Sequence, residues 1–259
     1  MLSTKNIFYS IGKKEILKDV SIDFLPGEFN MILGPNGSGK STFLKICSGE
    51  LKPSMGDVSL DVQLLSTFKK ETLAKVRAVM TQQPELSFPL SVEEVVMMGR
   101  YPHFDFNPGE KDETICGEAI QKLQIEHLKD RNYLTLSGGE KQRVQFARVL
   151  AQIWELPAAG NRYLFLDEPL ANLDINYQQQ FLKLAKELVQ LNTVLVAVMH
   201  DINLAIQYAD KLFFFKEGEL VANGNPRDIL SDKLIKEVFE VETNIVSNPL
   251  DGTPLMLYV

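Results

Sequence analysis

"FNMILGPNGSGKSTFLKICSGEL", residues 29–51, passes from an apolar strand-like run through closely spaced glycines into a helix-like stretch. Residues 34–42, GPNGSGKST, match the phosphate-loop pattern G-x-x-x-x-G-K-[ST]. A strand before the pattern and a helix after it supply the context that gives it meaning. Gly34, Gly37 and Gly39, spaced by Pro35, Asn36 and Ser38, allow backbone N–H groups to converge on phosphate oxygens. The helix start adds a favourable dipole. Lys40 is placed to reach β- and γ-phosphates and the Ser41 hydroxyl, next to Thr42, to ligand Mg²⁺. The pattern predicts a nucleoside triphosphate site, and a chance glycine turn does not supply every fixed position together.

A second stretch, "YLFLDEP" (163–169), ends an apolar strand in two carboxylates. Asp167 is expected to hold Mg²⁺, directly or through water. Glu168 sits at the carboxyl edge of the strand, where it can polarise an attacking water as general base. Acidic residues often end strands, so this pair gains its meaning from the phosphate loop. His200 closes another apolar run, "TVLVAVMH" (193–200), on the same expected edge. There it is suited to hydrogen-bond a γ-phosphate or to orient the water, although a lone histidine is more often structural.

"LSGGEKQRV" (136–144) presents a puzzle in local energetics. Ser137 and Glu140 form a capping-box pattern, and Val144, Ala147, Leu150, Ala151 and Trp154 mark a buried helix face. That much is a well-capped helix. Gly138 and Gly139 are not needed for it, since glycine in a helix costs about 1 kcal/mol relative to alanine. Glycine there leaves the N-terminal amides open to close approach by an anion. The first loop already serves the phosphates within one chain, so this loop is expected to serve the nucleotide of another subunit.

The bulk composition narrows the class. A chain of 259 residues, 45% hydrophobic and 24% charged, suits one large globular domain with an insert. No apolar run approaches the length of about 18 residues that a membrane span requires, and "MLSTKNIFYS" lacks the form of a secretory signal. Two cysteines, Cys47 and Cys116, in unrelated contexts speak against a disulfide framework or a zinc site and suit a reducing cytosol. A net charge of −7 argues against general affinity for nucleic acid or anionic lipid. "NIFYSI", "SIDFL", "FNMIL" and "MGDVSLDVQLL" (55–65) read as strands, with a turn at Pro26-Gly27. Between Lys69 and about Asp130 the pattern turns helical, in "LSVEEVVMMGR", "KDETICGEAIQKLQI" and "IEHLKDRN". Apolar strands at 163–168, 194–200 and 211–220 then alternate with helices at 172–191 and 201–209. This order predicts a parallel sheet covered on both faces. The tail promises a helix, "DKLIKEVFEVE", and a weak strand.

These stretches together resemble the ATP-binding-cassette (ABC) ATPases, and the likeness spans nearly the whole chain. "LSGGEKQR" resembles the family's signature motif. Tyr9 looks like the aromatic that stacks on adenine. Gln82, in "RAVMTQQP", is similar to the glutamine that reaches Mg²⁺ and water, although the adjacent Gln83 competes for that role. "ANLD", ending in Asp174, looks like the loop that communicates between subunits, and His200 matches the switch histidine. The resemblance implies an α/β P-loop NTPase fold over residues 1–259, with a parallel-sheet core, an antiparallel β-subdomain and a helical subdomain inserted at 83–140. It also implies ATP and Mg²⁺ as cofactors. Two copies would dimerise head to tail, so that Ser137, Gly138, Gly139 and Glu140 meet the partner's ATP.

"LSFPLSVEEVVMMGRYPHF" (86–104) closely resembles the matching stretch in importers of iron–siderophores, vitamin B12 and haem. There the segment touches a cytoplasmic helix of the permease, so Gly99, Arg100, Tyr101, Pro102 and His103 are expected to dock a permease dimer. "QIWELPAAGNR" (152–162) is a longer connection than most cassettes carry and resembles the haem-importing branch. The expected protein is peripheral on the cytoplasmic face of the inner membrane and is fed indirectly by a substrate-binding protein. It has no nucleic-acid partner. Siderophore or vitamin B12 import, a soluble ABC ATPase and a small-molecule kinase are the competing readings.

Overall fold

Leu2, Ile7, Leu17 and Phe24 are fully buried, and the alternation that carries them folds into an antiparallel ladder. In the computed structural model, which describes residues 1–81, 86–157, 160–171, 173–190 and 192–259, the chain forms two compact units. The first holds Met1–Thr67 and Ala185–Val259, and the second Phe68–Leu184.

The first unit begins with β1 (Leu2–Ile11), β2 (Lys14–Phe24), β3 (Phe29–Leu33), α1 (Lys40–Ser48), β4 (Met55–Leu60) and β5 (Gln63–Leu64). Strands in the order β2-β1-β4-β5 make an antiparallel sheet, with Tyr9 opposite Leu17. The second unit contains α2 (Lys70–Val76), β6 (Arg77–Met80), α3 (Val92–Met97), α4 (Glu110–Lys122), α5 (Gly138–Gln152) and β7 (Arg162–Asp167). Its strands β6 and β7 pair in parallel. α6 (Ile175–Val189) begins in this unit. The chain then supplies β8 (Thr193–Val198), α7 (Ile202–Tyr208), β9 (Lys211–Lys216), β10 (Glu219–Gly224), α8 (Pro226–Ile229), α9 (Asp232–Phe239), β11 (Thr243–Ser247) and β12 (Pro254–Tyr258) to the first unit.

Within the first unit β3 lies between β8 and β9, parallel to both, while β9 and β10 form an antiparallel hairpin. Every residue of β3 and β8 is buried, which is why both strands are apolar but for Asn30 and Thr193. Phe24 stacks against Phe213 at 4.9 Å between ring centroids and Phe43 against Phe215 at 5.2 Å, so aromatic packing joins α1 and β2 to β9.

Three departures from the sequence reading have local causes. "IEHLKDRN" gives only a 3-10 turn, Glu126–Leu128. α4 stops before it, with Gln124 in the left-handed region at φ 55° and the Ile125 amide donating back to Ile120 O at 3.2 Å, a Schellman-type ending. The stretch before Met80 contributes a helix and a strand, α2 and β6, that lack a strong periodic signal. The expected weak C-terminal strand is a hairpin, β11 paired with β12.

That hairpin is fastened by two side chains. Asn203 in α7 donates to Met256 O at 3.1 Å and accepts from Met256 N at 2.9 Å, acting as one more strand residue beside β12. Asp232 accepts from Ile245 N at 2.8 Å. Asn203→Ala strands both Met256 groups and is expected to cost about 1–2 kcal/mol locally. The check is amide exchange, faster across Thr243–Tyr258 and unchanged in β3.

Candidate nucleotide site and signature loop

The phosphate loop is built from backbone that only glycine tolerates. Gly34, Gly37 and Gly39 have φ of 154°, 79° and 99°. A Cβ on Gly34 would lie 2.2 Å from Phe215 O, and one on Gly39 2.8 Å from a Leu17 methyl. Two backbone bonds brace the loop: Gly218 N to Ser38 O at 3.1 Å and Lys18 N to Gly218 O at 2.9 Å. α1 starts directly from left-handed Gly39, with no side chain capping its first turn.

The polar groups here face inward. Ser38 is 2% exposed and its Oγ has no hydrogen-bond partner. Lys40 is 5% exposed, and its Nζ donates to Gly34 O at 2.8 Å and Pro35 O at 2.9 Å. A buried hydroxyl, a buried ammonium and an uncapped helix start together form a donor set that a triphosphate satisfies. Ser41 and Thr42 are half-buried in the same first turn, whereas Asn36 is exposed. Tyr9 is half-buried opposite Leu17, whose side chain abuts Gly39. His200 is exposed two residues beyond β8, and the following Asp201 caps α7 by accepting from Leu204 N at 2.9 Å.

The second unit carries the carboxylates and the signature loop. Asp167 ends the wholly buried β7 and is 7% exposed. Glu168 follows in the left-handed region at φ 50°, a conformation that costs energy outside glycine and gathers at functional positions. Asp174 is exposed and accepts from Tyr177 N at 3.0 Å, capping the start of α6. Gln82 and Gln83 fall outside the described residues. Among the described residues no three His, Cys, Asp or Glu side chains cluster as a metal cage. Mg²⁺ does not need one, because one or two protein oxygens complete a sphere shared with phosphate and water.

The capping box forms as expected. Ser137 N donates to the Glu140 carboxylate at 2.7 Å, and Glu140 N donates to Ser137 Oγ at 3.3 Å. Hydrogen bonds from the Ser137 hydroxyl and amide hold the Glu140 carboxyl below its usual range. Sequence reasoning missed how α5 is held. Gln142 Nε2 donates to Pro169 O at 2.8 Å, just past Glu168, and Arg143 stacks over the Tyr177 ring at 4.0 Å. The signature helix is therefore bonded to both segments that follow β7.

The expected docking residues divide. Tyr101 is 58% exposed and packs edge-on against Phe104, and His103 and Pro102 are partly covered. Gly99 and Arg100, expected with them at the permease, are buried in this chain. Arg100, 1% exposed, donates to Asp112 at 2.9 Å, Glu155 at 2.8 Å and Ala151 O at 2.9 Å. Lys111 also pairs with Glu155. A Cβ on Gly99 would lie 2.1 Å from Arg148 O, so the segment rests directly on the α5 backbone. His103 contacts Gln152 O through Nε2 at 2.8 Å, and burial lowers its pKa. Beside it a 370 Å³ cavity is lined by Thr72, Val76, Leu156 and Pro157 among others.

A glycine loop opening α1, with the Ser38 hydroxyl buried and unpartnered beside the buried Lys40, defines a P-loop nucleotide-binding protein. The ABC transporter family matches residues 17–171, and the chain belongs to that family. It is 44% identical over 257 residues to the hemin import ATP-binding protein HmuV of Gloeobacter violaceus, covering 99% of this chain and 94% of that one. Identity to HmuV of Escherichia coli O157:H7 is 40% over 258 residues, 99% of each chain. A solved dimeric ATP-binding cassette in a post-hydrolysis state, bound to ADP and phosphate, superposes with a TM-score of 0.74 at 29% identity, covering 87% of this chain and 98% of that one.

Gly34→Ala sets a methyl against Phe215 O at a φ that alanine resists. The wild-type melting temperature should rise with ATP, by the equivalent of about 2.7 kcal/mol at a hundredfold excess over Kd. The variant should melt earlier and show no rise.

Proposed function

We propose that this chain is the ATP-binding and ATP-hydrolysing subunit of an importer that moves haem across the cytoplasmic membrane. The observation that carries the ATPase reading is the phosphate loop, where Ser38 Oγ and Lys40 are buried at an uncapped helix start. The haem assignment is supported by 40–44% identity, over nearly the full length, to proteins named for hemin import. The extension after α5 agrees with it. Arg162 anchors that extension by donating to Ile153 O at 2.8 Å and Trp154 O at 3.1 Å.

In this reading Tyr9 stacks on adenine and the loop from Gly34 to Thr42 wraps the phosphates. Ser41, Asp167 and Gln82 hold Mg²⁺, which neutralises phosphate charge when bound. Glu168, whose backbone lies in the left-handed region, takes the proton of the attacking water. His200 orients that water or the γ-phosphate. Ser137, Gly138, Gly139 and Glu140 meet the ATP of a second copy, and Asp174 signals between copies. The pair docks a permease dimer through Tyr101 and His103, and the permease receives haem from a binding protein. No described helix is long and apolar enough to cross a membrane. In this reading attachment is peripheral, through the permease on the cytoplasmic face. The insert of 83–140 is the part that moves with the permease.

Glu168→Gln should bind ATP normally, hydrolyse it on the order of 10²–10⁴-fold more slowly and run as an ATP-dependent dimer on size exclusion. Normal turnover would remove Glu168 from the base role. Ser137→Arg should bind ATP yet fail to dimerise, as read by the same column. Proteoliposomes holding the cassette with its permease should take up haem and not ferric siderophore, and the reverse selectivity would overturn the haem assignment.

A further inference from the structure

Gln152 is the last residue of the signature helix, and three other segments converge on it. Its side-chain Nε2 donates to Ala74 O at 2.8 Å and Arg77 O at 2.9 Å. Ala74 lies in the last turn of α2, where carbonyls lack helical partners, and Arg77 is the first residue of β6. Gln152 O is itself an unpaired helix-end carbonyl, and His103 of the docking segment contacts it at 2.8 Å. A carbonyl only accepts, so His103 Nε2 carries the proton. α5 spans 15 residues, about 22 Å at 1.5 Å per residue. Ser137 caps one end, and at the other Arg100 donates to Ala151 O and His103 to Gln152 O.

We infer that Gln152 couples the permease to the ATP site, tying the permease-docking segment, the signature helix and the strand that leads to Gln82 into one moving piece. β6 ends at Met80, two residues before Gln82 in the sequence. Displacing the docking segment against the α2–β6 junction stretches either the His103 bond or one of the two amide bonds. Both amide hydrogens are engaged, so the side chain holds the junction at two carbonyls three residues apart. Gly99, resting on Arg148 O, denies the segment room to slide along α5. A helix capped at both ends passes such a displacement to Ser137 as a rigid rod. The inference rests on the reading of Tyr101 and its neighbours as the docking segment.

The test uses the cassette assembled with its co-purifying permease in proteoliposomes, beside the cassette alone. Gln152→Met keeps the length of the side chain and removes both donors, whereas Gln152→Lys keeps donors for the two carbonyls. Gln152→Met should leave ATP hydrolysis by the cassette alone within about twofold and lower permease-stimulated hydrolysis about tenfold, within the usual span of coupling between sites. Gln152→Lys should restore most of the stimulation. Full stimulation in Gln152→Met overturns the inference. A parallel loss in both preparations with an earlier melt, unrepaired by lysine, overturns it equally, because that pattern is plain loss of stability. Tyr101→Ala separates the underlying reading. Unchanged permease co-purification in that variant removes Tyr101 from docking, while an uncoupled Gln152→Met still upholds the role of Gln152.

Discussion

The uncapped first turn of α1 is the constraint on which the first unit depends. α3, α5, α7 and α9 open on Ser91, Ser137, Asp201 and Ser231, each accepting a backbone N–H with its side chain. α1 opens on Gly39 and receives nothing of the kind. Orphan N–H groups at a helix start need a partner, and here the local sequence withholds one and adds a buried lysine and a buried hydroxyl. The surroundings hold this unsatisfied arrangement in place. β9 runs its Phe215 carbonyl against Gly34, β2 packs on Gly39, and Phe43 locks α1 to Phe215. Aromatic burial adds to the bonds that Lys40 and Gly218 make to the loop.

α5 in the second unit resolves the same problem in the opposite way. Ser137 and Glu140 close its N-terminus, while Arg100 and His103 take carbonyls at its C-terminus. Arg100 is nearly inaccessible, and removing a charge of that kind from water costs several kcal/mol unless ionic partners surround it. Asp112 and Glu155 do so, and Lys111 balances the second carboxylate. Such a cluster adds little net stability over apolar packing, but it permits one arrangement of the segment 99–103 on α5 and penalises others. A helix satisfied entirely within its own unit is free to move with that unit.

The parts of this molecule written in short patterns were legible in the sequence. Lys40 and Ser41 sit one to seven residues from the glycines that arrange them, and the strand before them is apolar but for Asn30. The capping box needs only Ser137 and Glu140. What stayed hidden depends on distance along the chain. Arg100 finds its ionic partners 12 and 55 residues away, so its neighbours Tyr101 and Pro102 carry no sign of its burial. Gln152 reaches back 75 and 78 residues. The Arg143–Tyr177 stack likewise joins α5 to α6 across residues whose patterns describe only their own helices. The C-terminal hairpin had too little alternation to announce two strands, because Asn203 and Asp232, on other elements, fasten it.

Gly138 and Gly139 can now be compared with the glycines of the phosphate loop. Gly34, Gly37 and Gly39 occupy torsions that other residues avoid, so the backbone alone demands them. Gly138 and Gly139 stand in ordinary helical geometry, neither with positive φ. Alanine would fit their torsions and favour the helix by about 1 kcal/mol at each position. Torsion therefore does not account for them, and the capping box works without them. What remains is the missing Cβ. Gly138 is exposed and Gly139 partly so, leaving bare amides at the positive end of a 15-residue helix. A side chain there would obstruct only a guest that comes to the backbone itself. Ser137 has its lone pairs on the Glu140 amide and its proton on the Glu140 carboxylate. To serve an incoming phosphate that hydroxyl must turn its proton from the Glu140 carboxylate while its lone pair keeps the Glu140 amide, so closure of the proposed dimer exchanges one internal hydrogen bond for an intermolecular one.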